Sequence, residues 1–243
     1  MDEHLAQTYA LTARRVPLLA TWTALPDGRS FPAADMADAE WMAHRLADTA
    51  RRWGSGNPRV NGTLWWYSAS STLTGIPIAT ALVTGVAACP RLEGARAFLT
   101  ADGYLGGLTA SSVLPVADLA SELAGTLTVL IDALAEASGV RRAVLWAITT
   151  DSIANRALDA GDGIGDRMRG SMFARQLVDA MRADGVVLPR PRFVDVHAGT
   201  LTRRFTQRAS CCLIYETPGS AKCVSCPRRP AEDRLGGLAA LVT

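Results

Sequence analysis

At 243 residues, with 49% hydrophobic and 20% charged side chains, the chain is long and apolar enough to bury one large core or two small ones. This composition excludes an intrinsically disordered protein, which combines low hydrophobicity with high net charge. A net charge of +2, from 25 basic and 23 acidic residues, is too balanced for the one-signed field of a nucleic-acid binder.

Met1-Asp2-Glu3-His4 opens acidic, and no apolar run follows a basic start before Arg14 and Arg15. No secretory signal is expected, and the reducing cytoplasm is the expected compartment. Asp27-Gly28 and Pro32 read as a turn ahead of an amphipathic helix over 34–50, where Met36, Trp41, Met42 and Leu46 recur among acids. Residues 51–59 read as a loop. From Val60 to Pro90 there is no charge, which is long enough to span a bilayer. Its scattered threonines and serines, with Gly75 and Pro77 in the middle, argue instead for two short buried helices meeting at Gly75-Ile76-Pro77.

From Ala95 the period shortens. Ala97–Thr100 and Tyr104–Thr109 flank Asp102-Gly103 and predict a β-hairpin. Pro115 then opens a helix with Leu119, Leu123, Leu127, Leu130, Ile131 and Leu134 on one face and Gly139 at its end. Further helices are predicted over 142–158 and 164–184, and a short extended segment over 192–196. Gly161-Asp162-Gly163-Ile164-Gly165 lacks the spacing and the preceding strand of a dinucleotide fingerprint and reads as a helix–helix turn. The expected fold is α+β and predominantly α-helical, with a small hairpin. A helical domain is expected over 1–200 and a short cysteine-bearing module over 201–243.

Four of the five cysteines crowd into that module as Cys211, Cys212, Cys223 and Cys226, a C-C-x10-C-x2-C string. An x2 spacing lets two thiolates reach a metal from one tight loop, and Pro218-Gly219 supplies the turn that returns the chain. In a regular strand the adjacent pair would point to opposite faces, which suits the wider footprint of two irons better than one tetrahedral ion. A two-iron cluster is the favoured reading, with structural zinc or unmetallated thiols as alternatives. Cys89, beside Pro90 in the apolar stretch, reads as a buried, inert thiol.

Arg203, Arg204 and Arg208 precede the string, and Arg228 and Arg229 follow it. Their collective field would steer an anionic chelate or redox partner, or raise a cluster's potential; singly, each reads as a solvated charge. His197 has no vacancy to fill as a Rieske-type ligand beside four cysteines. Trp65-Trp66-Tyr67 reads as core before it reads as an aromatic wall for a ligand.

The C-C-x10-C-x2-C string with Pro227 behind it resembles the FhuF-like ferric-siderophore reductases. The likeness rests on that motif and, more loosely, on length and on the uncharged helical middle. It implies a [2Fe–2S] cluster held by Cys211, Cys212, Cys223 and Cys226. It also implies one-electron reduction of siderophore-bound iron(III), in the cytoplasm and in peripheral contact with the inner membrane face. With no flavin or nicotinamide signature in the chain, the implied electron donor is external, a ferredoxin or a separate reductase. The competing functions are an iron–sulfur sensor or electron carrier without a siderophore substrate, and a zinc-stabilised interaction module.

Overall fold

The computed structural model describes residues 2–26 and 29–242. In chain order they form α1 (Glu3–Ala13), α2 (Leu18–Thr23), β1 (Ser30–Pro32), α3 (Ala39–Trp53), α4 (Pro58–Thr84), β2 (Val86–Ala88), β3 (Arg96–Leu99), β4 (Leu105–Thr109), β5 (Val113–Pro115), α5 (Leu119–Ser138), α6 (Arg142–Gly163), α7 (Arg167–Ala183), β6 (Phe193–Ala198), β7 (Leu201–Thr206) and α8 (Ala231–Ala239). The fold is α+β and 58% helical. Among the described residues its small antiparallel sheets are ordered β1-β3-β4, β2-β5 and β6-β7. The turn expected at Asp27-Gly28 lies outside the described residues.

The uncharged stretch is a single helix, not two. α4 runs unbroken through Pro77, with Asn57 as its N-cap accepting from Arg59 N and Pro58 in the first turn. Gly75 is not a break but a gap: a Cβ there would lie 2.3 Å from the ring of Trp22. Pro77 removes one helical donor at a cost of about 3 kcal/mol, but nearly every residue from Val60 to Leu82 is buried, so both sides stay anchored. Threonines make this burial tolerable. Thr63, Thr74 and Thr84 return their hydroxyls to carbonyls four residues back, and Thr80 also receives Ala88 N, so none of these hydroxyls is stranded.

α4 packs most extensively against α6, and α6 against α7. The second contact is close because Gly170 faces the Ala157 carbonyl, which a Cβ would approach to 2.1 Å. Trp66, fully buried, donates its indole N–H to Leu145 O at 3.0 Å and Thr149 Oγ1 at 3.1 Å, locking α4 to α6. Trp65 and Trp66 are therefore core. The hairpin forms as the Asp102-Gly103 signal required, with Ala97 opposite Leu108. α5 runs from Leu119 to Ser138 with Gly139 as its left-handed cap, opening later than Pro115, while the helix expected to stop at 158 continues to Gly163. The segment expected as a loop over 51–59 is shorter, because α3 extends to Trp53. Among the described residues no helix is long and apolar enough to cross a membrane.

Candidate metal centre

The β6–β7 hairpin delivers the cysteine segment to the helical body. It pairs from Phe193 opposite Thr206 to Ala198 opposite Leu201, and Gln207 N closes its base on Arg192 O at 2.8 Å. α7 holds it from outside through Arg167 Nε, which donates to Arg204 O at 2.7 Å. The chain then turns inward, and α6 captures it. Asp151 Oδ1 accepts Ala209 N at 2.8 Å, and its Oδ2 accepts Ser210 N at 2.9 Å and Ser210 Oγ at 2.6 Å. Asp151 is only 2% exposed. Burial raises its pKa, with the Ser210 and Ala209 hydrogen bonds and the Arg208 charge pulling the other way.

Arg208 lies in the same buried layer, 4% exposed. Its Nε is 3.6 Å from Asp151 Oδ2, its guanidinium sits 4.6 Å over the ring of Tyr67 from α4, and its Nη1 donates to Cys223 Sγ at 3.4 Å. Tyr67 and Asp151 thus fasten the module to the two central helices. Neither carries a local signal for this role: Asp151 stands 58 residues before Ala209, and Tyr67 reads with its tryptophan neighbours as core.

Cys211 and Cys212 sit in irregular backbone, so the strand geometry considered for the adjacent pair does not apply. Leu213 follows in the left-handed region, at φ 61°. That turn aims the Leu213 N–H at the Cys211 sulfur and the Ile214 N–H at that of Cys212. A 3-10 turn over Ile214–Glu216 and the turn closed by Ser220 N on Thr217 O then reverse the chain. Cys223 and Cys226 occupy a second turn, in which Cys226 N donates to Cys223 O at 3.1 Å and Arg229 Nε to the same carbonyl at 2.9 Å.

The four sulfurs meet as two cross-pairs. Cys211 Sγ lies 3.7 Å from Cys226 Sγ, and Cys212 hydrogen-bonds Cys223. Cys212 and Cys226 are buried, Cys211 and Cys223 half-buried. The Cys212 thiol is pulled down to about 5, first by its hydrogen bond with Cys223 and then by the Ile214 N–H and the Arg208 charge. Cys223 is pushed up by the same shared hydrogen bond and by burial, and burial also raises Cys211. Among the described residues no three His, Cys, Asp or Glu side chains converge on one ion position. Two pairs of thiols, each with a sulfur-directed backbone N–H, suit two irons rather than one tetrahedral ion.

Residues 208–228 match the family model of the FhuF 2Fe-2S C-terminal domain. The match starts at Arg208 and includes all four cysteines, so this part of the chain is an FhuF-type segment whose cofactor is a [2Fe–2S] cluster. No curated protein matches the chain.

Arg203 reaches Asp162 at 3.3 Å and is part-exposed. Arg204 forks onto Asp195 at 2.8 and 2.7 Å and also donates to Ser171 Oγ, which commits it locally. Arg208 is not a surface charge beside the FhuF-type segment; it is buried against its sulfurs. Arg228 lies over the ring of Tyr215. His197 Nδ1 pairs with Thr202 Oγ1 at 2.7 Å within the hairpin. Cys89 is buried among the helices.

Proposed function

We propose that the protein is a ferric-siderophore reductase, in which residues 1–200 offer the chelate a binding surface and residues 201–243 carry the cluster. A [2Fe–2S] group supplies one electron at a time. Cys211, Cys212, Cys223 and Cys226 would hold it, and an external ferredoxin or reductase would replenish the electron. The iron(III) of the chelate takes that electron and becomes iron(II), with no bond made or broken in the protein and no proton moved. Hard oxygen donors that grip iron(III) hold iron(II) far more weakly, so the metal is released.

The observation that carries this reading is the double position of Tyr67. Its ring stacks on Arg208, which touches Cys223, and it also lines a groove of about 620 Å³ with Trp22, Ser68, Ser71, Phe98 and Tyr104. That volume is in the range of small-molecule sites, roughly 300–1,000 Å³, and a few hydroxyls on an aromatic wall suit an organic ligand shell. A pure electron carrier has no need of a groove joined to its cysteines through Tyr67 and Arg208.

The test is anaerobic. The reduced protein is mixed with a ferric siderophore in the presence of a ferrous chelator while its visible spectrum is followed. Return of the oxidised cluster bands in step with the ferrous complex is the expected result. Bands that stay bleached would leave a carrier or sensor, and a colourless protein would overturn the metal assignment itself.

A further inference from the structure

Arg208 is a cation in a place where cations are rarely kept. It is 4% exposed, and its carboxylate neighbour Asp151 already accepts three hydrogen bonds from Ala209 and Ser210. Two of its donors, Nε and Nη2, are buried without a hydrogen-bond partner. A residue kept only to pin the module would have those donors satisfied, because unpartnered buried donors are costly. These donors instead sit in a guanidinium whose third nitrogen, Nη1, touches the Cys223 sulfur at 3.4 Å. The opposite pair is different: among the described residues no cationic side chain hydrogen-bonds the sulfur of Cys211 or Cys226.

We propose that Arg208 is a positioning residue that sets the reduction potential of the cluster, placing a fixed positive charge and an N–H donor against its Cys212–Cys223 side. Asp151 orders the backbone on which it stands, and Tyr67 covers its open face. The inference rests on the [2Fe–2S] reading of the four cysteines, not on the identity of the electron acceptor. One-electron reduction adds one negative charge to a thiolate-bound cluster. A fixed cation and a hydrogen bond to sulfur stabilise the reduced form more than the oxidised form, and the potential rises. Burial keeps that interaction from being screened by salt.

The experiment is a redox titration of the cluster-loaded full chain, followed by electron paramagnetic resonance, on wild type, Arg208→Met, Arg208→Lys and Arg203→Gln. Visible absorption establishes the cluster content of each. In Arg208→Met the ratio of reduced to oxidised cluster at fixed ambient potential should fall at least tenfold, a shift of about 59 mV for one electron. Arg208→Lys keeps the charge but loses the planar fork, so its shift should be smaller and of the same sign. Arg203→Gln removes a part-exposed charge and should shift less than either. A loaded Arg208→Met protein with the wild-type potential overturns the proposal, as does an equal shift in Arg203→Gln. If Arg208→Met takes up no cluster, Arg208→Lys decides: a lowered potential supports the proposal and an unchanged one overturns it. A wild-type protein without a cluster would instead refute the reading beneath it.

Discussion

Replacing Asp151 with alanine removes one side chain from α6 and releases three hydrogen bonds and the carboxylate beside Arg208. Breaking a buried ion pair from one side costs about 3–5 kcal/mol, because the surviving charge stays buried without compensation. The lost hydrogen bonds overlap with that figure and are not added to it. For a chain of this size each kcal/mol moves the melting temperature by roughly 2–4 °C, so Asp151→Ala should lower it by roughly 6–20 °C. Asp151→Asn keeps the shape but also leaves Arg208 without its counter-charge and turns an amide donor toward donors, so it should cost at least about 3 kcal/mol as well. Melting followed by circular dichroism gives the global effect. Hydrogen exchange at the Ala209 and Ser210 amides gives the local one, and both amides should lose protection in the alanine variant. Wild-type protection at both amides, with a melting temperature within about 2 °C of wild type, would refute the claim that α6 fastens the module.

Two further outcomes are expected. Cys223→Ser and Cys226→Ser should each abolish the visible cluster bands while leaving far-ultraviolet helicity nearly intact, since α1–α7 precede the cysteines; full absorbance in both variants would dismiss the four-cysteine assignment. Tyr9, buried and accepting Ala110 N at 2.9 Å, has its pKa raised from 10.0 to about 12 by burial. Because the folded value is the higher one, its contribution is complete below pH 10 and disappears as pH climbs toward about 12. At about 1.36 kcal/mol per unit, up to roughly 2.7 kcal/mol is at stake. Tyr9→Phe should flatten that alkaline decline, and identical slopes in the two proteins would show that Tyr9 is not its source.

The parts of the molecule that could be read in advance are those whose signal is local. Asp102-Gly103 fixes a hairpin by its own backbone needs, and the leucines of α5 declare their face at three- and four-residue steps. The cysteine string carries its chemistry in its spacing. α4 is one helix where the sequence predicts two, because Gly75 and Pro77 have opposite meanings side by side. Gly75 makes room for Trp22, while Pro77 is tolerated by burial on both flanks, and neither fact exists until α2, the small sheets and α5 pack on α4. β1, β2 and β5 are three residues each, too short to show alternation. Asp151 and Tyr67 were invisible as site residues for a related reason. A buried acid in a helix has no meaning until the segment that uses it arrives from 58 residues further along.

The capture of the cysteine segment by the middle of α6 also makes that helix a ruler. Adding one residue between Arg142 and Thr149 would rotate everything beyond it by about 100° and advance it by about 1.5 Å. Asp151 would then leave the Ala209 and Ser210 amides, and Thr149 would leave Trp66, although composition and charge would hardly change. A residue added in the exposed turn at 184–187, after α7, would by contrast leave both sets of contacts in place.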